Sequence, residues 1–270
     1  MPKENKSGVR PKKFLGQHFL HDRNTARKIV DSLLVEGGVT TQVLEVGPGT
    51  GVLTRLLVEK PNVSLAVVEI DRDSVAYLRE HNVLSGDRIF EADFLELDLT
   101  TIFEGHFSII GNFPYNISSQ IFFRVLEYRN NVDQVVCMLQ KEVAERIAAP
   151  HGSKTYGILS VLLQAWYNIE MLFKVAPGVF NPPPKVMSAV IRLTRNDREK
   201  LACNEQLFFQ VVKQGFNNRR KTLRNALKNL NLAGTVSSDP LMDKRAEQLT
   251  VEDFIYLTSL IEENRASVRS

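Results

Sequence analysis

The sequence predicts an α/β fold, a mostly parallel sheet with an antiparallel hairpin at its edge, followed by a small all-helical C-terminal domain. Three observations predict it. Short β-branched apolar runs alternate with amphipathic stretches over the first two thirds of the chain, one later pair of strands has no helix between its members, and beyond about residue 197 the strand pattern stops. Alternation of strand and helix implies parallel pairing through right-handed crossovers, with helices on both faces of the sheet.

Taken in order, VLEV (43–46), LAVVEI (65–70), IFEA (89–92), FSIIGN (107–112) and QVVCML (134–139) read as strands bounded by Gly, Asp or Asn. Between them GVLTRLLVEK (51–60), DRDSVAYLREHN (71–82), ISSQIFFRVLEY (117–128) and KEVAERIAA (141–149) carry apolar residues at spacings of three and four and read as helices. YGILSVLLQAWYN (156–168) reads as a buried helix. IEMLFKV (169–175) and VMSAVIRLTR (186–195) are joined only by the loop APGVFNPPPK, so they are expected to pair antiparallel at the sheet edge. EQLFFQVVKQGF, RRKTLRNALKNL and TVEDFIYLTSLIEEN then read as helices. The expected boundary falls near Arg195, giving domains 1–195 and 196–270.

The chain is 43% hydrophobic and 24% charged, the balance of a globular protein with a proper core. No apolar run approaches the roughly 20 residues of a membrane helix. The basic N-terminus, MPKENKSGVRPKKF, has no apolar stretch behind it and does not read as a secretory signal. Cys137 and Cys203 are far apart with no CxxC pair, so no disulfide or zinc site is expected, and the cytoplasm is the natural compartment. The net charge is only +3, but it is unevenly spread. Lys3, Lys6, Arg10, Lys12 and Lys13 face Glu4 alone, and the run holding Lys213, Arg219, Arg220, Lys221, Arg224 and Lys228 contains no acid. Such zones suit a polyanion, or are simply a solvated tail and a solvated helix face.

Chemistry-bearing residues recur where strands end. VLEVGPGTGVLT (43–54) runs from a strand through Gly47, Gly49 and Gly51 into a helix. Glycines there let the backbone approach a ligand and leave a helix N-terminus facing it. The spacing is GxGxG, neither the GxGxxG of dinucleotide sites nor a phosphate-binding loop with GKS or GKT. Glu69 ends the next strand, where an acid can accept from both ribose hydroxyls. Asp71 stands where a helix N-cap is expected. Asp93, in EADF, follows the third strand and can accept from the exocyclic amine of an adenine ring. NAD, FAD and S-adenosylmethionine are all compatible with that series. IIGNFPYNISS (109–119) separates them. The Asn112 side-chain carbonyl and the backbone carbonyl beside Pro114 make two acceptors that can receive both protons of an exocyclic amine, with Tyr115 framing the base. A nitrogen lone pair held this way is aligned toward a sulfonium methyl, and no strong base is required.

KKFLGQHFL (12–20), VLEVGPGTG, VVEID, EADF, GNFPYNISS and GVFNPPPKVMS (178–188), in this order, resemble the ribosomal RNA small-subunit (16S) adenine N6,N6-dimethyltransferase family over nearly the whole chain. The resemblance implies a class I S-adenosylmethionine-dependent methyltransferase with a Rossmann-like sheet and an RNA-binding helical domain. It implies dimethylation of two adjacent adenines in a hairpin loop near the 3′ end of 16S rRNA during ribosome biogenesis. It places cofactor contacts on His18, Leu20, Gly47, Glu69, Asp93 and Asn112, with GQHFL folded across the cofactor. It places the target base at Asn112, Pro114 and Tyr115, with Phe180 as a second stacking ring, and implies no metal. Arg219, Arg220, Lys221 and Arg224 become RNA contacts on a pre-ribosomal 30S particle, reached by a monomer. One departure is Phe113, where the family commonly has Leu; its side chain is expected to point away from the acceptor pair. The erythromycin-resistance methyltransferases of large-subunit rRNA share the fold, and a non-catalytic assembly or transcription factor and a dehydrogenase are the other readings.

Overall fold

The structure is a computed structural model that describes residues 8–230, 232 and 234–267. Lys3, Glu4 and Lys6 of the N-terminal cluster lie outside the described residues. The chain divides into two units, Met1–Ala144 with Ile169–Arg195, and Glu145–Asn168 with Asn196–Ser270.

The first unit contains β1 (Phe19–Leu20), α1 (Arg23–Asp31), β2 (Thr41–Val46), α2 (Val52–Val58), β3 (Val63–Glu69), α3 (Arg72–Glu80), β4 (Ile89–Glu91), β5 (Phe107–Asn112), α4 (Ser118–Glu127) and β6 (Val132–Gln140). The division then cuts inside α5 (Lys141–Ile147) and, beyond α6 (Ile158–Gln164), inside β7 (Tyr167–Val175). β8 (Phe180–Asn181) and β9 (Ser188–Arg195) complete the first unit. The main sheet has the order β4-β3-β2-β5-β6-β9-β7. Its first five strands are parallel, and β9 runs antiparallel to β6. From β2 the chain builds outward through β3 and β4, then crosses to build the other way through β5 and β6. The carboxyl ends of β2 and β5 are therefore neighbours at the point where the order reverses, the place such sheets leave open for a ligand.

The central strands read as unbroken apolar runs because both of their faces are covered. Val43, Leu44, Ala66, Val67, Ile109, Ile110, Val135 and Val136 are fully buried. Gly111 belongs to the same packing problem: a Cβ there would stand 2.5 Å from the carbonyl oxygen of Val46 on the adjacent strand. Helix α1 is a sequence-level omission. Of its nine residues only Ala26, Ile29 and Val30 are apolar, but they fall on one buried face, and Asp22 caps the helix by accepting from the Thr25 N–H at 2.7 Å.

The second unit contains α6, α7 (Glu205–Asn217), α8 (Leu223–Ala226), α9 (Gly234–Ser237) and α10 (Val251–Ser267). Asn204 caps α7 through the Leu207 N–H, and Thr250 and Asp253 cap α10 reciprocally at 2.9 and 3.0 Å. Three expectations need correction here. Residues 145–168 group with the C-terminal helices instead of with 1–195, because Trp166 packs 6.1 and 5.9 Å from Phe208 and Phe209, and Tyr156 packs 6.0 Å from Phe216. The helix expected over 156–168 covers only Ile158–Gln164, and Tyr167 already belongs to β7. A wholly buried run has no periodicity to separate the two states. The helix expected over 219–230 shrinks to Leu223–Ala226, with Asn218 to Thr222 forming a turn closed by the Lys221 N–H on the Asn218 carbonyl.

Candidate active site

Three glycines in the left-handed region shape the turn after β2: φ is +67° at Gly47, +55° at Gly49 and +78° at Gly51. A Cβ on Gly49 would stand 2.9 Å from the Phe19 ring, whereas one on Gly47 would meet nothing within 4 Å. The turn is thus closed on one side and open above Gly47. Glu69, at the end of β3, is 5% exposed; its Oε2 accepts from the Gly49 N–H at 3.0 Å and its Oε1 from the Asp71 N–H at 2.9 Å. Burial pushes its pKa above the ordinary carboxylate range, and the two backbone donors only partly oppose this. Asp71 caps α3 and also accepts from Ser74 and Gln17 while pairing with the Lys12 ammonium. Burial pushes the Asp71 carboxyl up, but Lys12 and Gln17 together outweigh it and leave the pKa lowered. Asp93 accepts from the Leu95 N–H at 2.8 Å in the turn after β4.

Asn112 ends β5, and its Nδ2 donates to the His18 carbonyl at 2.9 Å. With the amide nitrogen so engaged, Oδ1 is the face of the side chain left to accept. Phe113 packs edge-on against Phe122 at 5.8 Å and is 1% exposed, so it extends the core beneath the turn. The Tyr115 hydroxyl lies 2.6 Å from the Ser188 hydroxyl at the start of β9, and burial raises its pKa.

Residues 12–21 form a strap over this crevice. Lys12 reaches Asp71 and, at 2.8 Å, Asp73; Gln17 Nε2 donates to Asp71 at 3.0 Å. His18 carries the Asn112 contact and places its Nδ1 2.8 Å from the Pro182 carbonyl, where Nδ1–H donates. The His21 N–H continues the anchoring on the Val179 carbonyl. Together the strap, the glycine turn and the ends of β3, β4 and β5 enclose a cavity of about 220 Å³.

His18, Gly47, Glu69, Asp93, Asn112, Pro114 and Tyr115 all line that cavity. Leu20 does not; it is 5% exposed and borders a smaller space of about 30 Å³ behind the glycine turn. Phe180 stands apart from these. It is 3% exposed, pairs with Leu20 across the β1–β8 ribbon and belongs to the hydrophobic core, off the cavity wall. The basic cluster holds no acid in sequence, but acids distant in sequence fold onto it. Arg219 pairs with Glu247 at 3.0 Å and donates to the Lys154 and Tyr156 carbonyls, and Arg224 pairs with Asp243 at 2.6 Å and donates to the Ser237 carbonyl. Arg220 and Lys221 remain exposed.

Two features escaped the sequence reading. The Lys12–Gln17 latch joins residues more than fifty positions apart and carries no local signature. Glu45 was legible as an acid inside the apolar run VLEV; it is 1% exposed, and its Oε2 has no hydrogen-bond partner among the described residues. Burial pushes its pKa up to about 8, with the neighbouring Thr54 hydroxyl opposing and the Glu69 charge adding.

Residues 8–263 match the family model described as "Ribosomal RNA adenine dimethylase". The chain is 57% identical over 257 residues to Ribosomal RNA small subunit methyltransferase A of Bacteroides thetaiotaomicron, covering 94% of this chain and 95% of that one. Among solved structures it resembles a dimethyladenosine transferase from Plasmodium falciparum (25% identity, TM-score 0.74, 93% and 98% coverage). It also resembles the 23S rRNA methyltransferase ErmE (25% identity, TM-score 0.65, 89% and 99% coverage). The fold is that of the class I S-adenosylmethionine-dependent methyltransferases, a mostly parallel sheet with antiparallel strands and a helical C-terminal region. A match that begins ahead of the strap and runs on into α10 exceeds what a shared sheet accounts for, and the chain belongs to the ribosomal RNA adenine dimethylase family.

Proposed function

We propose that this protein transfers methyl groups from S-adenosylmethionine to N6 of two adjacent adenines in a hairpin loop near the 3′ end of small-subunit (16S) rRNA, giving N6,N6-dimethyladenosines during ribosome biogenesis. The substrate is the RNA within a pre-ribosomal 30S particle, met by a monomer in the cytoplasm. The observation that carries the reading is Asn112: its nitrogen is held by the His18 carbonyl, so its oxygen is oriented as an acceptor in the cavity wall.

The residues present fit the cofactor. The space above Gly47 admits a ligand against the backbone, and Glu69 offers a buried carboxylate for the ribose hydroxyls. Asp93 is placed for an adenine amine, and His18 borders the same space. When bound, S-adenosylmethionine supplies an electrophilic methyl group on a sulfonium. The protein's part is alignment. Asn112 Oδ1 and the backbone carbonyl beside Pro114 accept the two N6 protons and turn the nitrogen lone pair outward, and Tyr115, tethered through Ser188, frames the base. With the cofactor bound, these residues would hold N6 as the methyl acceptor, and the proton N6 loses would pass to solvent. Arg219, Arg220, Lys221 and Arg224 are all exposed and suited to phosphates, and Arg219 and Arg224 also pair with Glu247 and Asp243 and so brace the turn. The test is methyl transfer to small-subunit particles lacking the modification, set against naked large-subunit RNA. Transfer to the particle supports the reading, and transfer to the large-subunit RNA alone overturns it.

A further inference from the structure

Phe14 is the most exposed large apolar side chain among the described residues, at 77%. It stands on the 3-10 turn Lys13–Leu15 of the strap, immediately before Leu15 and Gly16, which line the cavity. The turn is held firmly. Gly16 closes it at φ +66°, a Cβ there would stand 2.4 Å from Asn116 Oδ1, and Asn116 Nδ2 reaches back to the Phe14 carbonyl at 3.5 Å. A ring that a built turn directs into solvent at the rim of an active site has a different standing from apolar residues scattered singly over a surface.

The surroundings indicate the partner. Residues 8–20, GVRPKKFLGQHFL, contain no acid, and Arg10 and Lys13 beside the ring are exposed. Aromatic rings interleaved with cations suit single-stranded nucleic acid, whose bases stack while phosphates meet the charges. The reaction also creates a need for such a ring. Moving one adenine into the cavity breaks its stack with the next base, and here the next base is itself an adenine to be modified.

We propose that Phe14 is a stacking post for the nucleotide adjacent to the adenine held at Asn112, replacing the stack lost when that adenine enters the cavity. The inference rests on the adenine dimethyltransferase reading. Phe14→Ala, Phe14→Leu and Phe14→Trp are compared in methyl transfer to unmodified small-subunit particles, with cofactor affinity measured by calorimetry. Phe14→Ala is expected to raise KM for the particle roughly tenfold, the size of one base–aromatic stack, at unchanged cofactor affinity. Trp is expected to restore KM and Leu to leave it raised. An unchanged KM in Phe14→Ala overturns the proposal, as does full rescue by Leu, or a loss of cofactor affinity that accounts for the whole effect. A second readout is independent of turnover: a hairpin RNA with 2-aminopurine at the adjacent adenine should lose its protein-induced quenching in Phe14→Ala, and retained quenching overturns the proposal. If the wild-type protein does not methylate unmodified small-subunit particles, the enzymatic reading fails, while the quenching still decides the role of Phe14.

Discussion

At the scale of single residues, the proposed base and cofactor contacts rest on Asn112 and Glu69, while Glu45 and Gly111 are buried where they constrain the sheet. Asn112→Ala removes the oriented acceptor and should lower kcat by at least ~100-fold while particle binding stays near wild type, as read by single-turnover transfer and filter binding. Equal turnover would remove the acceptor pair from the mechanism. Glu45 makes a prediction about pH. Its folded-state pKa is raised to about 8 from an ordinary 4.5. Below the ordinary value both states hold the proton, and as pH rises toward 8 only the unfolded state releases it, so the stability it contributes falls across that window. Glu45→Gln should flatten the decline of Tm between about pH 5 and 8, and an unchanged slope would exclude Glu45 as its source. Gly111→Ala should cost on the order of several kcal/mol or prevent folding, since the obstructing atom is a backbone carbonyl that no rotamer change can move. At this scale the sequence was informative wherever a residue ends a strand: Gly47, Glu69, Asp93 and Asn112 are set by the sheet. Phe180 is buried through a two-residue ribbon with Leu20 that no local pattern announces.

At the scale of elements, the strap is the piece that turns a sheet edge into a closed site. It is held at one end by Lys12 and Gln17 on the N-cap of α3, and at the other by His18 on Pro182. Lys12→Met leaves the stem but removes the charge. Cofactor dissociation should become several-fold faster and lose much of its salt dependence in stopped-flow measurements, and wild-type kinetics would show that the latch is incidental. Element legibility followed periodicity. The half-buried helices α3, α4 and α7 were readable from apolar spacing, whereas α1 carries only three apolar residues in nine, a narrow stripe, and α6 is buried all round, so its length could not be read from a periodicity. The basic run at 219–230 was read as a helix, but two of its three arginines, Arg219 and Arg224, pair with Glu247 and Asp243, partners visible only once the chain is folded.

At the scale of the molecule, two units are woven from one chain, with residues 145–168 leaving the sheet and 169–195 returning to it. The α/β pattern made the parallel sheet and its antiparallel addition readable. The grouping of 145–168 was not, because it depends on Trp166 and Tyr156 meeting aromatic rings of α7. In the second unit, the proposed RNA contacts and the ion pairs of the turn can be tested apart. Arg219→Ala should lower Tm, while Arg220→Ala with Lys221→Ala should leave Tm unchanged and reduce the slope of log affinity against log salt by roughly 1–2 for the RNA particle. A slope unaffected by the double substitution would make those two cations a solvated surface. The central claim, that this protein places dimethyladenosine on small-subunit RNA, is tested most directly by mapping N6,N6-dimethyladenosine along that RNA from cells with and without the protein. The account predicts two adjacent modified adenines near the 3′ end that vanish when the protein is absent. Modification that persists without it, or loss confined to large-subunit RNA, would contradict the account.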